Sequence, residues 1–151
     1  MRVLAVEGVL VPWSPLTPAP VGQVSRTIAI RADQTLEQLH EAFRLAFGWD
    51  DPHLYAFWIE GDFWDRDAPR YTAPFELEET GDDALSARTP IGEVGLKKGS
   101  RASYLFDFGD EWRVALRVVD TWPAGDEAYP MLVGAEGIPP PQYPELDEDD
   151  E

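Results

Sequence analysis

The sequence predicts an α+β fold in which a largely antiparallel sheet of about five to six strands packs against one main helix, with one further short helical turn. Three observations support this prediction. Runs of β-branched and aromatic residues recur between turn residues, one stretch repeats apolar residues at helical spacing, and the strongest pair of strands alternates with a period of two residues.

Length and composition predict one domain without disulfide bonds. A chain of 151 residues buries roughly 70% of the surface that its unfolded form exposes, so we expect a single domain over residues 1–144. The absence of cysteine excludes disulfides and thiolate metal sites and fits a reducing compartment, which predicts the cytoplasm. No apolar run approaches the roughly 20 residues that a membrane-spanning helix needs, so no membrane contact is expected.

The chain is strongly acidic, with 12 Lys and Arg residues against 29 Asp and Glu residues and a formal net charge of −17. Such a surface repels a phosphate backbone, so direct nucleic-acid binding is not expected. An excess of acidic residues most often serves to keep a small protein soluble. The alternative explanation is that the acidic surface mimics nucleic acid. The acidic run at residues 145–151 is predicted to be a disordered tail.

The first half of the chain predicts two strands followed by the main helix. Residues 3–11 and 24–30 are β-branched runs separated by a proline-rich link at residues 12–20. Residues 35–47 then place apolar side chains at helical spacing. Thr35 offers an N-cap and Gly48 a stop, so this helix is the best-defined element of the sequence.

The middle of the chain predicts a hairpin and a long excursion. Residues 54–60 form a strand, and a Gly61-Asp62 turn leads into a short strand around Phe63 and Trp64. Residues 65–87 show no periodicity and are predicted to be a long surface excursion that has room for a short strand. Residues 91–94 form a helical turn, since Thr89-Pro90 is an N-cap followed by a first-turn proline.

The last hairpin carries the strongest β signal. Strands at residues 102–108 and 112–120 each place large apolar residues on one face and mostly polar or small residues on the other. A loop longer than Gly109-Asp110 would set Phe108 opposite Trp112 and Asp107 opposite Arg113, which buries one aromatic face and pairs charges on the other. We therefore predict this register, with irregular structure after Trp122.

Two segments and the order of the elements resemble the plasmid pRiA4b ORF-3-like family. They are TLEQLHEAFRLAFGWDDPHLYAF, residues 35–57, and YLFDFGDEWRVALRVVD, residues 104–120. The similarity runs over about residues 21–137. It implies a compact α+β fold and an origin among stand-alone bacterial proteins or passengers of plasmids and insertion elements, without implying a reaction.

The chain departs from the family's pattern where histidines are concerned. Members often have His-Leu-His where this chain has His53-Leu54-Tyr55, and often a histidine where it has Val114. The family's Trp-Arg-Arg entry strand appears only as Ser25-Arg26-Thr27. If those histidines formed a metal or acid-base site in relatives, most of that site is missing here.

Candidate binding residues cluster at the Asp-Asp-Pro-His turn after the helix and at the last hairpin. They are Asp50, Asp51, His53, Asp107, Gly109, Asp110, Trp112 and Arg113. Carboxylate and imidazole groups can hold a divalent cation, so Asp50 and His53 are the alternative metal ligands, although adjacent acids more often cap a turn. No catalytic motif is intact, so no catalytic residue or cofactor is predicted. His40, on the helix, is expected at the edge of the core with its ring bound to a backbone carbonyl.

Three functions remain open from the sequence. The first is a non-catalytic module that binds a protein or peptide, since six tryptophans exceed what a small core needs and exposed aromatic rings concentrate binding energy. The second is a metal-assisted enzyme that uses Asp50, Asp51 and His53. The third is an acidic nucleic-acid mimic. The partner and the oligomeric state are not determined by the sequence.

Overall fold

The computed structural model describes residues 1–11, 23–49, 54–73, 85–108 and 111–139. Within them the chain forms two helices, α1 (Leu36–Phe47) and α2 (Ile91–Val94). The strands are β1 (Arg2–Val11), β2 (Ser25–Arg31), β3 (Tyr55–Ile59), β4 (Arg70–Thr72), β5 (Leu85–Ser86), β6 (Arg101–Phe106), β7 (Trp112–Pro123) and β8 (Met131–Glu136). They form one sheet in the order β5-β4-β3-β6-β7-β1-β2-β8. Every neighbouring pair is antiparallel except β4 and β5.

The predicted fold class is wrong. The protein is predominantly β, since strands hold 48% of the described residues and helices only 14%. A single sheet of eight strands, mixed only through the parallel pair β4 and β5, replaces the predicted five to six strands. The reason is that the extra strands are two short ones, β4 and β5, and a solvent-exposed one, β8, none of which shows the alternation by which a half-buried strand is recognised.

The longer predicted strands are confirmed with small changes of their ends, and so is the helical turn at residues 91–94. The predicted short strand around Phe63 and Trp64 is wrong, because that segment is a series of turns and the strand that pairs with β3 is β4. Trp64 adopts a left-handed φ of 62°, which strand geometry excludes. The irregular structure predicted after Trp122 is also wrong where β8 lies.

Helix α1 forms where the sequence predicts it. The Thr35 hydroxyl accepts a hydrogen bond from the Gln38 backbone N–H, and the Gln38 side chain bonds back to the Thr35 backbone, which completes a capping box. Gly48 ends the helix with a φ of 81°, a left-handed conformation that glycine adopts without steric cost. The buried residues of the helix are Leu36, Leu39, His40, Phe43 and Phe47.

These residues lie on one face of the sheet, here called the inner face. The ring of Phe43 lies against Gly8 in the middle of β1, where an added Cβ would come within 2.8 Å of both Phe43 and Val114. Because a side chain at Gly8 would collide with both, glycine is what lets the helix approach the sheet this closely. The main hydrophobic core therefore fills the space between α1 and the inner face.

The predicted register of the last hairpin is wrong, whereas its faces are largely right. Trp112 lies opposite Phe106 and Arg113 lies opposite Leu105. The pairing ends there because Asp107 has a left-handed φ of 69° and donates its backbone N–H to the Leu54 carbonyl at 2.8 Å, on the side of β3. Phe108 lies on the opposite face of the sheet, here called the outer face, where it packs against the cluster of Ala56, Trp58 and Leu105.

Several predictions fall on residues outside the described ranges. These are the proline-rich link, residues 74–84 of the excursion, and the acidic tail at residues 145–151. The domain boundaries therefore stay a prediction. Of the helices in the described ranges, none has the length and apolar composition to cross a membrane.

Replacing Phe43 tests the packing of α1. Phe43→Ala is expected to lower the free energy of unfolding by about 3–5 kcal/mol, because the ring is fully buried and its removal leaves a cavity at Gly8. Leu45→Ala on the same helix is the control, since Leu45 is 68% exposed and the change should stay within about 0.5 kcal/mol. Both values come from chemical denaturation, and similar losses for the two variants would contradict the assignment of the helical face.

Candidate functional site

An aromatic layer lies at the end of the inner face where α1 terminates. Trp49 follows the Gly48 cap and is held by its backbone N–H, which donates to the Arg44 carbonyl at 2.9 Å. Its indole stacks on Phe106 at 4.9 Å with an interplanar angle of 2°, and its ring centroid lies 5.7 Å from that of Trp112. The helix end, β6 and β7 are thereby joined through aromatic contacts.

His40 extends this layer into the core. Its ring stacks on Tyr55 with centroids 3.7 Å apart and an angle of 7°, and Nδ1 lies 2.7 Å from the Tyr104 hydroxyl. The expectation that His40 binds a backbone carbonyl at the edge of the core is wrong, because the ring is buried and its partner is a side chain. Nε2 lies 3.7 Å from the Glu41 carboxylate.

Burial determines the protonation of this pair. Desolvation lowers the pKa of His40 from 6.5 to about 4, outweighing the nearby Glu41 carboxylate, which raises it, while Arg44 lowers it further. Burial likewise raises the pKa of Tyr104 well above 10. Both groups are therefore neutral at pH 7. The Glu41 carboxylate favours a proton on Nε2, which leaves Nδ1 to accept the hydrogen bond from the Tyr104 hydroxyl.

The predicted binding residues are only partly within the described ranges. Asp50, Asp51, His53, Gly109 and Asp110 lie outside them. Of the others, Asp107 is buried at the end of β6, Trp112 is buried on the inner face, and Arg113 lies on the outer face, where Glu111 forms an ion pair with it at 2.8 Å. These last residues therefore do not share one surface.

The described residues that flank the turn and the hairpin loop do come together. Leu54 and Asp107 share a backbone hydrogen bond, and the rings of Trp49 and Trp112 are in contact. Within the described ranges, the indole N–H groups of both tryptophans are buried without a hydrogen-bond partner. An acceptor brought to this end of the sheet would meet two buried donors. The shared site of the turn and the hairpin stays a prediction.

Metal binding receives no support from the described residues. In those ranges no three His, Asp or Glu side chains gather closely enough to hold an ion. The alternative ligands Asp50 and His53 lie outside them, so this hypothesis also stays a prediction.

A second candidate site lies on the outer face. A groove of about 530 Å³, here called the outer groove, runs between β1, β6, β7 and the segment after β3. Its charged lining residues are Glu7, Glu60, Asp62, Arg101 and Arg117, and Ser103 and Ala115 lie between them. The Ser103 hydroxyl donates to the Gly61 carbonyl at 2.8 Å, which fixes the segment after β3 on the sheet.

An aromatic cluster borders the outer groove. Trp64 is 42% exposed and lies edge-on to Trp58 at 5.0 Å and to Phe108 at 5.5 Å. The Arg113 guanidinium lies 4.8 Å above the ring of Phe63, a cation–π geometry. Because Phe63 directly follows Asp62, this cluster is continuous with the groove wall.

A third candidate surface is the free edge of β8. β8 ends the sheet and pairs only with β2 among the described strands. A bulge shifts its register around Val133, and Leu132 and Val133 are 51% and 49% exposed. The other end of the sheet is β5, which has only two residues.

Sequence reasoning missed the outer groove and β8. The signal for the groove was present, since Arg113, Ala115 and Arg117 alternate along β7, but the partners on β1 and β6 are known only from the sheet order. The run MLVGAE offers an apolar signal for β8, which the surrounding turn residues and prolines concealed.

The fold and these sites define a small, predominantly β protein in which one main helix packs on one face of an eight-stranded sheet. A family model described as plasmid pRiA4b ORF-3-like protein matches residues 19–143. The chain belongs to this family, as its sequence motifs predicted.

Two further comparisons give a relative and a solved structure to which the chain is similar. The chain is 33% identical over 126 residues to a protein of Sinorhizobium fredii named "Uncharacterized protein y4hQ"; the match covers 79% of this chain and spans 58% of the relative's length. The crystal structure of MM3350, a protein of unknown function from Methanosarcina mazei Go1, matches with a TM-score of 0.68 at 22% identity. That match covers 91% of this chain and 72% of MM3350 and shows the fold alone.

Acidification tests the burial of His40. Because folding lowers its pKa from 6.5 to about 4, its contribution to stability is fully present above pH 6.5 and is lost as the pH falls towards 4. The loss amounts to about 3 kcal/mol. His40→Gln removes this titration and keeps an acceptor for Tyr104.

The measurement is the free energy of unfolding of both proteins by chemical denaturation between pH 7 and pH 4. Carboxylates titrate in both proteins and cancel in the difference, so the wild type is expected to lose about 3 kcal/mol more than the variant. Parallel profiles would show that His40 ionises as easily in the folded protein as in the unfolded one.

Proposed function

We propose that the protein is a non-catalytic interaction module that binds an extended, positively charged peptide segment of another protein by adding it as a strand to β8. The observation that supports this most directly is the apolar edge of β8, which has no further strand beside it among the described residues. Strand addition uses the backbone N–H and C=O groups of an edge strand for affinity and alternate side chains for specificity.

The two edges of the sheet differ in the way that this proposal needs. Natural proteins blunt sheet edges with short strands, lysine, proline or β-bulges. β5 has the first device, with two residues, whereas β8 has six residues, MLVGAE, without lysine, arginine or proline and with one bulge at Val133. Its bulge displaces Val133 from the register with β2 and leaves this side chain half exposed beside Leu132.

The position of the two side chains indicates how a partner would contact them. Leu132 lies opposite Ile28, a core residue of β2, and therefore shares the inner face, where it is only half covered. An added strand would place its own apolar side chains beside Leu132 and extend the core by one strand.

Charge selects the kind of partner. The net charge of −17 repels a second copy of the chain and attracts a cationic segment, which increases the rate of encounter. Glu136, the single charged residue of β8, adds to this preference. The partner is therefore an extended segment in which lysine or arginine alternates with apolar residues.

A labelled seven-residue peptide with alternating valine and lysine and blocked ends tests this function by fluorescence anisotropy. The variant L132K/V133K should weaken binding about tenfold or more, because it removes the apolar contacts and repels the peptide. Leu85→Lys makes the same kind of change at the β5 edge and is expected to bind like the wild type.

A second peptide, with proline in place of valine, separates backbone pairing from simple charge attraction, since proline lacks the N–H donor of a strand. It should not bind, and hydrogen exchange should show protection of the β8 amides only with the valine peptide. Equal binding of the two peptides, no binding of either, or equal losses at the two edges would contradict the proposal. So would a stable dimer in analytical ultracentrifugation, since β8 would then be occupied by a second copy.

A further inference from the structure

We propose that the outer groove is a separate binding site for a small zwitterion, a molecule of the class of α-amino acids or short peptides that carries a free carboxylate and a free ammonium group. This site lies on the outer face across β1, β6 and β7 and is independent of strand addition at β8. The arrangement of its charges is the observation that carries the inference.

The charges run across the sheet in the order acid, base, base, acid. Arg101 lies directly opposite Arg117 on β6 and β7, and Arg117 lies directly opposite Glu7 on β1. On the other side, the Glu60 backbone N–H donates to the Arg101 carbonyl at 2.8 Å, so Glu60 continues the row. Like charges directly opposite one another destabilise a sheet, whereas a row of alternating charges would not.

A carboxylate between the two arginines removes this repulsion. The guanidinium group binds carboxylates through two parallel hydrogen bonds. Glu7 forms only a loose ion pair with Arg117, since its Oε1 lies 3.6 Å away, beyond ordinary hydrogen-bond length. In the described part of the chain, Arg101 has no ion-pair partner and is exposed towards the groove.

The ammonium group is attracted by the opposite wall. Glu60 and Asp62 line the groove on either side of Gly61. One carboxylate oxygen of Asp62 accepts the Phe63 backbone N–H at 2.8 Å, which holds the side chain in place and leaves its other oxygen for a cation. Two acids beside one unpaired arginine favour a ligand that carries both charges over a simple anion.

The size of the groove agrees with this class of ligand. A volume of about 530 Å³ lies within the range of roughly 300–1,000 Å³ that is typical of small-molecule sites. The net charge of −17 repels a ligand that carries only a carboxylate. An amine alone would leave the two arginines facing each other.

Isothermal titration calorimetry with the dipeptide alanyl-alanine tests the site directly. Saturable binding is expected for the dipeptide with free ends. The N-acetylated dipeptide and the C-terminal amide, which lack one charge each, should bind at least about tenfold more weakly, since each loses a charge-assisted contact.

Three variants assign the binding to the groove. Arg101→Gln and Glu60→Gln should each weaken binding about tenfold or more. Lys98→Gln is the matched control for Arg101→Gln, because it removes one positive charge from an exposed residue whose ion-pair partner is Asp120 at 3.8 Å. It should leave the affinity unchanged, and circular dichroism checks that all variants are folded.

Several results would overturn the inference. These are no saturable binding of the free dipeptide at millimolar concentration, equal binding of the blocked forms, or equal effects of Arg101→Gln and Lys98→Gln. Binding of the dipeptide by L132K/V133K with unchanged affinity is expected, because that variant concerns β8 and not this groove. A loss of dipeptide binding in that variant would place the ligand at the sheet edge instead.

Discussion

The close approach of α1 to β1 is the constraint on which the rest of the structure depends. It requires Gly8, because any side chain there would collide with Phe43 and Val114. Once Phe43 occupies this place, the preceding turn of the helix brings His40 to Tyr104, and Trp49, just after the Gly48 cap, reaches Phe106. The aromatic layer thus depends on the position of the helix on the sheet. A displacement of the helix would separate the rings of this layer.

The sequence was sufficient to predict helices and strands that have one buried face and one solvent-exposed face. Residues 35–47 and the first part of β7 have this pattern, and their positions along the chain agree with the prediction. It was insufficient where the backbone conformation of a single residue interrupts the element that the hydrophobic pattern predicts. The left-handed φ of Asp107 shortens the ladder of the last hairpin, and that of Trp64 is incompatible with the predicted strand around it. The spacing of apolar residues does not reveal a single residue with a left-handed backbone conformation.

The candidate sites also show how far local sequence patterns can predict structure. Groups that are close along the chain, such as Arg113 and its neighbours on β7, could be placed on one face from their alternation alone. The pairing of Arg101 with Arg117 depends on which strands are neighbours, and the hydrogen bond between His40 and Tyr104 joins a helix to a strand far along the chain. Such contacts follow from sheet order, which local patterns do not contain.

The edge of β8 also explains why so acidic a composition suits this fold. Among the described residues β8 has no strand on its outer side, and an edge of this kind is a template for other copies of the same chain. Mutual repulsion between molecules of net charge −17 opposes that association without covering the edge. The negative charge thus opposes self-association by electrostatic repulsion. The surrounding salt screens this repulsion over a Debye length of about 8 Å at physiological ionic strength.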